Sequence, residues 1–332
     1  MSEYQRVLIY GEILEGKLAS ITKELLGIGR KLADELGQML YAVIIGSGIP
    51  AELAQECVYF GADKVYVIDD PLFKDYLTDS YTAAMEKLTR DLKPDIVLFG
   101  QTSMGRDLAP RLAYRLNTGV TLDCIELVID SETKLMYQTK PVYGGKAYAI
   151  YVCQTKPQIV SIRPKTMSPI ERDTSRKGEV ITFALNINAT AIGGKVVERI
   201  KEEITRIKLE DADVVVCGGR GVGEDGFQLL EELALSLNGV VGATRPPCDN
   251  GWVQAQYQIG LTGKVVAPRL YIGVALSGAS QHLSGMMGSK NIVAINTDPE
   301  ASIFRAAHYG VVGNYRKVIS AFIEKCKEEV TS

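Results

Sequence analysis

Histidine is scarce: His282 and His308 are the two present in 332 residues. That leaves little for histidine-based catalysis and argues against a histidine-rich metal site. The six cysteines, Cys57, Cys124, Cys153, Cys217, Cys248 and Cys326, form no C-x-x-C pair, so the spacings of zinc and iron–sulfur sites are missing. Several lie in apolar runs such as VVVCGG and IYVCQT, where buried, reduced thiols are expected. An excess of one charge is lacking too. Lys and Arg number 37 against 40 Asp and Glu, a net −3, which excludes the strongly basic footprint of a nucleic-acid binder. No apolar run reaches the ~18–20 residues that cross a bilayer. The opening MSEYQRVLIYGE has no basic n-region, apolar h-region or cleavage site. The expectation is a cytoplasmic protein with no membrane span and no nucleic-acid partner.

Hydrophobic residues make up 46% of the chain, enough at this length for two cored domains. The N-terminal half alternates short apolar runs with helical periods. Strands are predicted at Val7–Tyr10, Leu40–Ile45, Val65–Ile68 and Ile96–Phe99, and helices at Leu18–Leu36, Ala51–Phe60, Thr78–Leu92 and Arg106–Leu116. That alternation implies βαβ units and a parallel sheet. Around Tyr143-Gly144-Gly145-Lys146 the pattern turns to residue-by-residue alternation, an antiparallel hairpin, followed by a strand at Gln158–Arg163. TMSPIERDTSRK (166–177) is polar, and Glu198–Lys208 is charged and weakly amphipathic. A second βα series runs from Val214 to the terminal helix Tyr315–Glu328. The fold class is therefore α/β with two domains, 1–205 and 206–332, the boundary falling between about Ala189 and Asp211.

Five segments of the second series carry candidate chemistry. In DVVVCGGRGVGEDGF an apolar strand ends in glycines before a helix, a geometry that offers backbone N–H groups to phosphate. Gly221, Gly223 and Gly226 satisfy G-x-G-x-x-G, but the next strand ends in Thr244-Arg245 and not in the acid that reads a ribose. Glu224 and Asp225 would repel a pyrophosphate, which makes Arg220 the better anion partner. In GATRPP, Pro246 biases Arg245 toward extended backbone, and an arginine at a strand's C-terminal end can pair with phosphate or stack on a flat ring. QIGLTGK places Thr262 between Gly260 and Gly263 in a turn. In VALSGASQHLSGM a strand runs into a helix start, with Ser277 or Ser280 as the expected cap and Gln281 and His282 in the first turn. Asn296 closes the strand IVAIN. Read singly, each segment is as readily a tight turn, a surface arginine, an Asx turn or a structural histidine.

Taken in order, GGRG, GATR, QIGLTGK, LSGASQHLSGM, VAINTDPEASIF and YGVVGN closely resemble the FAD-binding domain of the electron-transfer flavoprotein alpha subunit (FixB) family. Upstream, LFGQTSMGRDLAPRLAYRLNTGVTLDC and KPVYGGKAYA extend the resemblance over nearly the whole chain. The resemblance implies an N-terminal parallel-sheet domain, adenine-nucleotide alpha-hydrolase-like, and a C-terminal doubly wound FAD-binding domain. It implies FAD-binding roles for Arg220 at the phosphates, Thr244 and Arg245 at the isoalloxazine, and the Ile259-Gly260-Leu261-Thr262 turn, with Thr262 donating to flavin N5. Ser277, Gly278, Ala279, Ser280, Gln281 and His282 would wrap the flavin, His282 near O2. Asn296, Asn314 and Tyr315 would serve the adenosine end. The chain departs from the family pattern at Thr244 (for Ser), Leu261 (for Gln), Ser280 (for Ile), and His308 and Asn314 (for Asp).

On this resemblance Arg245 and His282 would stabilise negative charge on the reduced ring. A full charge at ~4 Å in an effective dielectric of ~20 is worth roughly 4 kcal/mol, on the order of 170 mV for one electron. The implied partners are a beta subunit, in a heterodimer with AMP or a second FAD on beta, and an acyl-CoA dehydrogenase that exchanges electrons with it. TGVTLDC resembles the loop of anaerobic members that bifurcate electrons from NADH. Two other readings stand beside this one. The glycine loop suits an NAD(P)-dependent dehydrogenase, and the N-terminal series suits a non-enzymatic nucleotide-binding module of the universal-stress type.

Overall fold

The first strand, β1 (Val7–Gly11), is buried along its whole length, as expected of a central parallel strand covered on both faces. Its side chains alternate: Val7 and Ile9 enter one core, Leu8 and Tyr10 the other. The computed structural model describes residues 3–145, 147–185, 193–198 and 208–330. A small hairpin follows β1, made of β2 (Ile13–Leu14) and β3 (Lys17–Leu18), and then come α1 (Ser20–Leu36), β4 (Leu40–Gly46), α2 (Ala51–Tyr59), β5 (Lys64–Asp69) and α3 (Thr78–Leu92). The series continues with β6 (Ile96–Gly100), α4 (Ser103–Leu116), β7 (Val120–Cys124), β8 (Glu126–Ile129), β9 (Met136–Val142), β10 (Ala147–Val152), β11 (Gln158–Ile162) and β12 (Glu179–Thr182). Seven of these strands form a sheet ordered β12-β5-β4-β1-β6-β11-β7, every recorded pairing of which is parallel.

The hairpin expected around Tyr143 is β9 and β10. They join β8 in a separate three-stranded sheet, with β8 antiparallel to β9. The strands β2, β3 and β7 were not foreseen, and neither were β8 and β12. The last two are short, and β12 is an exposed edge strand with little apolar alternation to read.

The second sheet contains β13 (Val214–Gly218), β14 (Val240–Ala243), β15 (Leu270–Val274), β16 (Asn291–Asn296) and β17 (Tyr309–Val312) in the order β14-β13-β15-β16-β17. All its pairings are parallel. The helices α5 (Phe227–Ser236), α6 (Arg245–Asp249), α7 (Ser280–Leu283) and α8 (Tyr315–Val330) connect and cover it. Val215 and Cys217 pack on one face, Val216 on the other. The α/β expectation with parallel sheets thus holds for both units. Contacts group the hairpin tip Val142–Ala147 with the second unit. Most of Glu198–Lys208, and with it the expected boundary at 205/206, lies outside the described residues. Among the described residues no helix is long and apolar enough to cross a membrane.

Candidate cofactor site

The chain leaves β13 through α5 to β14 on one side and returns to β15 on the other. The order therefore reverses between β13 and β15, and the crevice above their C-terminal ends is where an open α/β sheet receives a ligand. Gly219 and the loop after β15 meet there: Gly219 N–H donates to Val274 O at 2.8 Å and Gly221 N–H to Ala275 O at 3.2 Å. A Cβ on Gly219 would lie 2.3 Å from Ala275 O, so this approach requires glycine. Gly278 has φ +82, and a Cβ there would stand 2.3 Å from Ile303 N. Glycine is thus required at the second wall as well.

Backbone bonds bring the predicted segments into one network. Thr244 N–H donates to Gly218 O at 3.0 Å, Ile259 N–H to Ala243 O at 2.9 Å, and Leu261 N–H to Gln281 O at 2.7 Å. The turn is closed within itself by Gly263 N–H to Gly260 O, and Gln258 Nε2 donates to Thr262 Oγ1 at 3.0 Å. Ser277 and Ala279 are exposed on the crevice loop, and Ser280 and Gln281 are exposed in the first turn of α7. Among the described residues, the N–H groups of Ser277, Gly278 and Ala279 donate to no other backbone group. Arg220 follows β13 in a short 3-10 turn, Arg220–Val222, with its side chain exposed.

Three local expectations need correction. Arg245 is not extended; it is the first residue of α6, with Pro246 next in the first turn. Proline is tolerated there because first-turn N–H groups have no helical partner. Its guanidinium is 67% exposed and pairs with Asp249 one turn on, Nε to Oδ2 3.1 Å. Neither Ser277 nor Ser280 caps α7. Ala279 occupies the N-cap with no side-chain bond, and Ser280 lies inside the helix. The N-terminus is thus left uncapped by side chains. The helix also stops at Leu283, shorter than the pattern through Met286 suggested.

The adenosine-end candidates have internal partners. Asn296 Nδ2 donates to Leu276 O at 2.9 Å and its Oδ1 accepts from Asp298 N–H, so it braces the crevice loop. Asn314 Oδ1 accepts from Arg316 N–H at the start of α8. Tyr315 donates its hydroxyl to Val222 O at 2.7 Å and so pins the loop that carries Arg220. His282 is 6% exposed, with both ring nitrogens engaged. Nδ1 lies 3.0 Å from Ile259 O and Nε2 2.7 Å from the Tyr271 hydroxyl. Burial holds its pKa below the usual imidazole value. Tyr271 escaped the sequence reading. The available signal was a tyrosine within the otherwise apolar strand LYIGV, where a buried hydroxyl needs a partner. Of the cysteines, Cys57, Cys124 and Cys217 are buried, and burial pushes each of these thiols up to about 12. No metal-holding group of acidic, histidine and cysteine side chains occurs among the described residues.

A doubly wound sheet with free N–H groups and forced glycines at its switch point, and exposed arginines after β13 and β14, has the form of a domain that receives a nucleotide cofactor. Comparison with known proteins agrees. Residues 7–188 match the electron transfer flavoprotein domain, and residues 208–287 match the electron transfer flavoprotein FAD-binding domain. The chain is 46% identical over 330 residues to the electron transfer flavoprotein subunit alpha of Thermoanaerobacterium thermosaccharolyticum, covering 99% of each chain. It is 42% identical to the subunit of the same name from Megasphaera elsdenii, covering 99% of this chain and 98% of that one. It is 36% identical to the acryloyl-CoA reductase electron transfer subunit beta of Anaerotignum propionicum, covering 99% and 97%. The chain belongs to the electron transfer flavoprotein alpha subunit family, which includes the FixB proteins.

Proposed function

We propose that this chain is the FAD-binding half of a heterodimeric electron carrier, with the cofactor seated at the β13/β15 switch point. The observation that carries the reading is the crevice loop itself, whose free N–H groups at Ser277–Ala279 stand above a junction admitting only glycine at 219 and 278. The donor set fits an anionic dinucleotide: Arg220 and Arg245 supply positive charge, and Thr262, Ser277 and Gln281 supply neutral polar groups. Bound there, the flavin supplies one- and two-electron transfer. The protein's part is to hold the ring, keep a cation beside it and fix the turn that carries Thr262. Arg245 is that cation, and Asp249 offsets part of its charge. The test is reconstitution of the complex with FAD. Tight 1:1 uptake per copy of this chain, abolished by Gly278→Val, supports the site; uptake indifferent to that change refutes it.

The partner in this reading is a beta subunit holding AMP or a second FAD. The sheet β10-β9-β8 supports it, since Tyr148 and Ile150 on its edge strand are each 65% exposed. A row of exposed aromatic and aliphatic side chains on an unpaired edge is an interaction surface. An acyl-CoA dehydrogenase as the electron-exchanging enzyme is part of the same proposal; the Anaerotignum propionicum relative is named as the electron transfer subunit of an acryloyl-CoA reductase. Electron bifurcation from NADH belongs to the same proposal through the segment TGVTLDC. Asp123 of that segment adopts φ +68 and is held by a two-pronged ion pair with Arg163, 2.9 and 2.7 Å. Two FAD per heterodimer favours bifurcation, whereas one FAD and one AMP overturns it.

A further inference from the structure

Tyr271 lies in β15 with its ring fully enclosed. Its hydroxyl is 2.7 Å from His282 Nε2, beside the Cys217 thiol. On the far side of the imidazole, Nδ1 is 3.0 Å from Ile259 O. A carbonyl oxygen can only accept, so Nδ1 carries the proton. In a neutral ring Nε2 is then an acceptor, and the Tyr271 hydroxyl is its donor. The chain of polarity is therefore fixed: tyrosine donates to imidazole, and imidazole donates to the backbone of the turn.

The pinned carbonyl belongs to the residue before Gly260. The turn Gly260–Thr262 is thus fastened to α7 at two points, by the His282 ring on Ile259 O and by Leu261 N–H on Gln281 O. We propose that Tyr271 is a positioning residue for this cofactor-facing turn: its hydroxyl selects the Nδ1-protonated tautomer of His282, which holds Ile259 and with it Thr262 in place. The proposal rests on the FAD reading above for what the turn faces, but the tautomer does not.

The test uses the reconstituted heterodimer with ¹⁵N-histidine in this chain alone, where His282 and His308 are the two signals. Multiple-bond ¹H–¹⁵N spectra at pH 7 should show His282 as the neutral Nδ1–H form. An Nε2–H tautomer or an imidazolium at that position overturns the proposal, whatever any variant does. Tyr271→Phe removes one neutral hydrogen bond. It should disturb the tautomer pattern and weaken FAD uptake by the apo complex ~5-fold, the worth of one ordinary bond. A changed tautomer with unchanged FAD affinity refutes the positioning role while the FAD reading stands. A wild-type complex that takes up no FAD refutes the FAD reading and the turn's role with it, and leaves the tautomer assignment to the spectra.

Discussion

Glu12 should make the N-terminal unit lose stability as pH rises, and Glu12→Gln should remove that loss. The residue follows β1, is 4% exposed, and its Oε1 accepts from Thr102 Oγ1 at 2.6 Å. The bond to Thr102 favours the carboxylate, but burial outweighs it and pushes the pKa from 4.5 up to about 7. The folded state therefore keeps a proton that the unfolded chain has released. Where the unfolded state binds fewer protons, stability falls with rising pH. The fall begins near 4.5 and is complete above about 7. At 1.36 kcal/mol per pH unit the full effect is about 3 kcal/mol. Glutamine mimics the protonated acid and still accepts from Thr102. Amide exchange in β1 and β6 isolates this unit from the other. Near pH 4.5 the two proteins should be equally protected; at pH 8 the variant should be protected roughly 100-fold better, the equivalent of about 3 kcal/mol. A difference that does not change with pH, or a variant less protected at pH 8, refutes the reasoning.

Arg245→Ala should leave stability within ~0.5 kcal/mol, since an exposed i,i+4 pair with Asp249 contributes little, yet lower the flavin potential in a reductive titration. Asp249→Asn should move that potential the other way, by on the order of tens of millivolts, because it frees the arginine's charge. Gly219→Ala places a Cβ 2.3 Å from Ala275 O and should cost about 1–3 kcal/mol of second-unit stability by urea unfolding, with loss of bound cofactor. Ile150→Asp, on the exposed edge strand, should leave the fold intact and dissociate the heterodimer in sedimentation; an unchanged sedimentation coefficient would place the interface elsewhere.

The parallel sheets were legible because buried strands such as Val7–Gly11 and Val214–Gly218 are unbroken apolar runs ending at glycine. The order of site segments was legible because glycines and a hydroxyl mark each turn. What the side chains do was less so. Arg245 was expected to be extended because proline restricts its predecessor, but two prolines are also compatible with a first helical turn. Asn296, Tyr315 and His282 were read as ligand contacts, and the fold also gives each a partner within the chain: Leu276 O, Val222 O and Ile259 O. A sequence shows that a polar group is present; only the packed structure shows which backbone group it satisfies. Tyr271 could not be linked to His282, because strand and helix residues eleven apart meet only after the chain turns at Ser277.

The most direct test of the account is the absorbance spectrum and nucleotide content of the purified heterodimer, before and after Gly278→Val in this chain. Bound FAD that bleaches on reduction, with one FAD lost in the variant, is the predicted result. A colourless wild-type complex, or a flavin content the variant leaves unchanged, would contradict the assignment of the β13/β15 crevice as the FAD site.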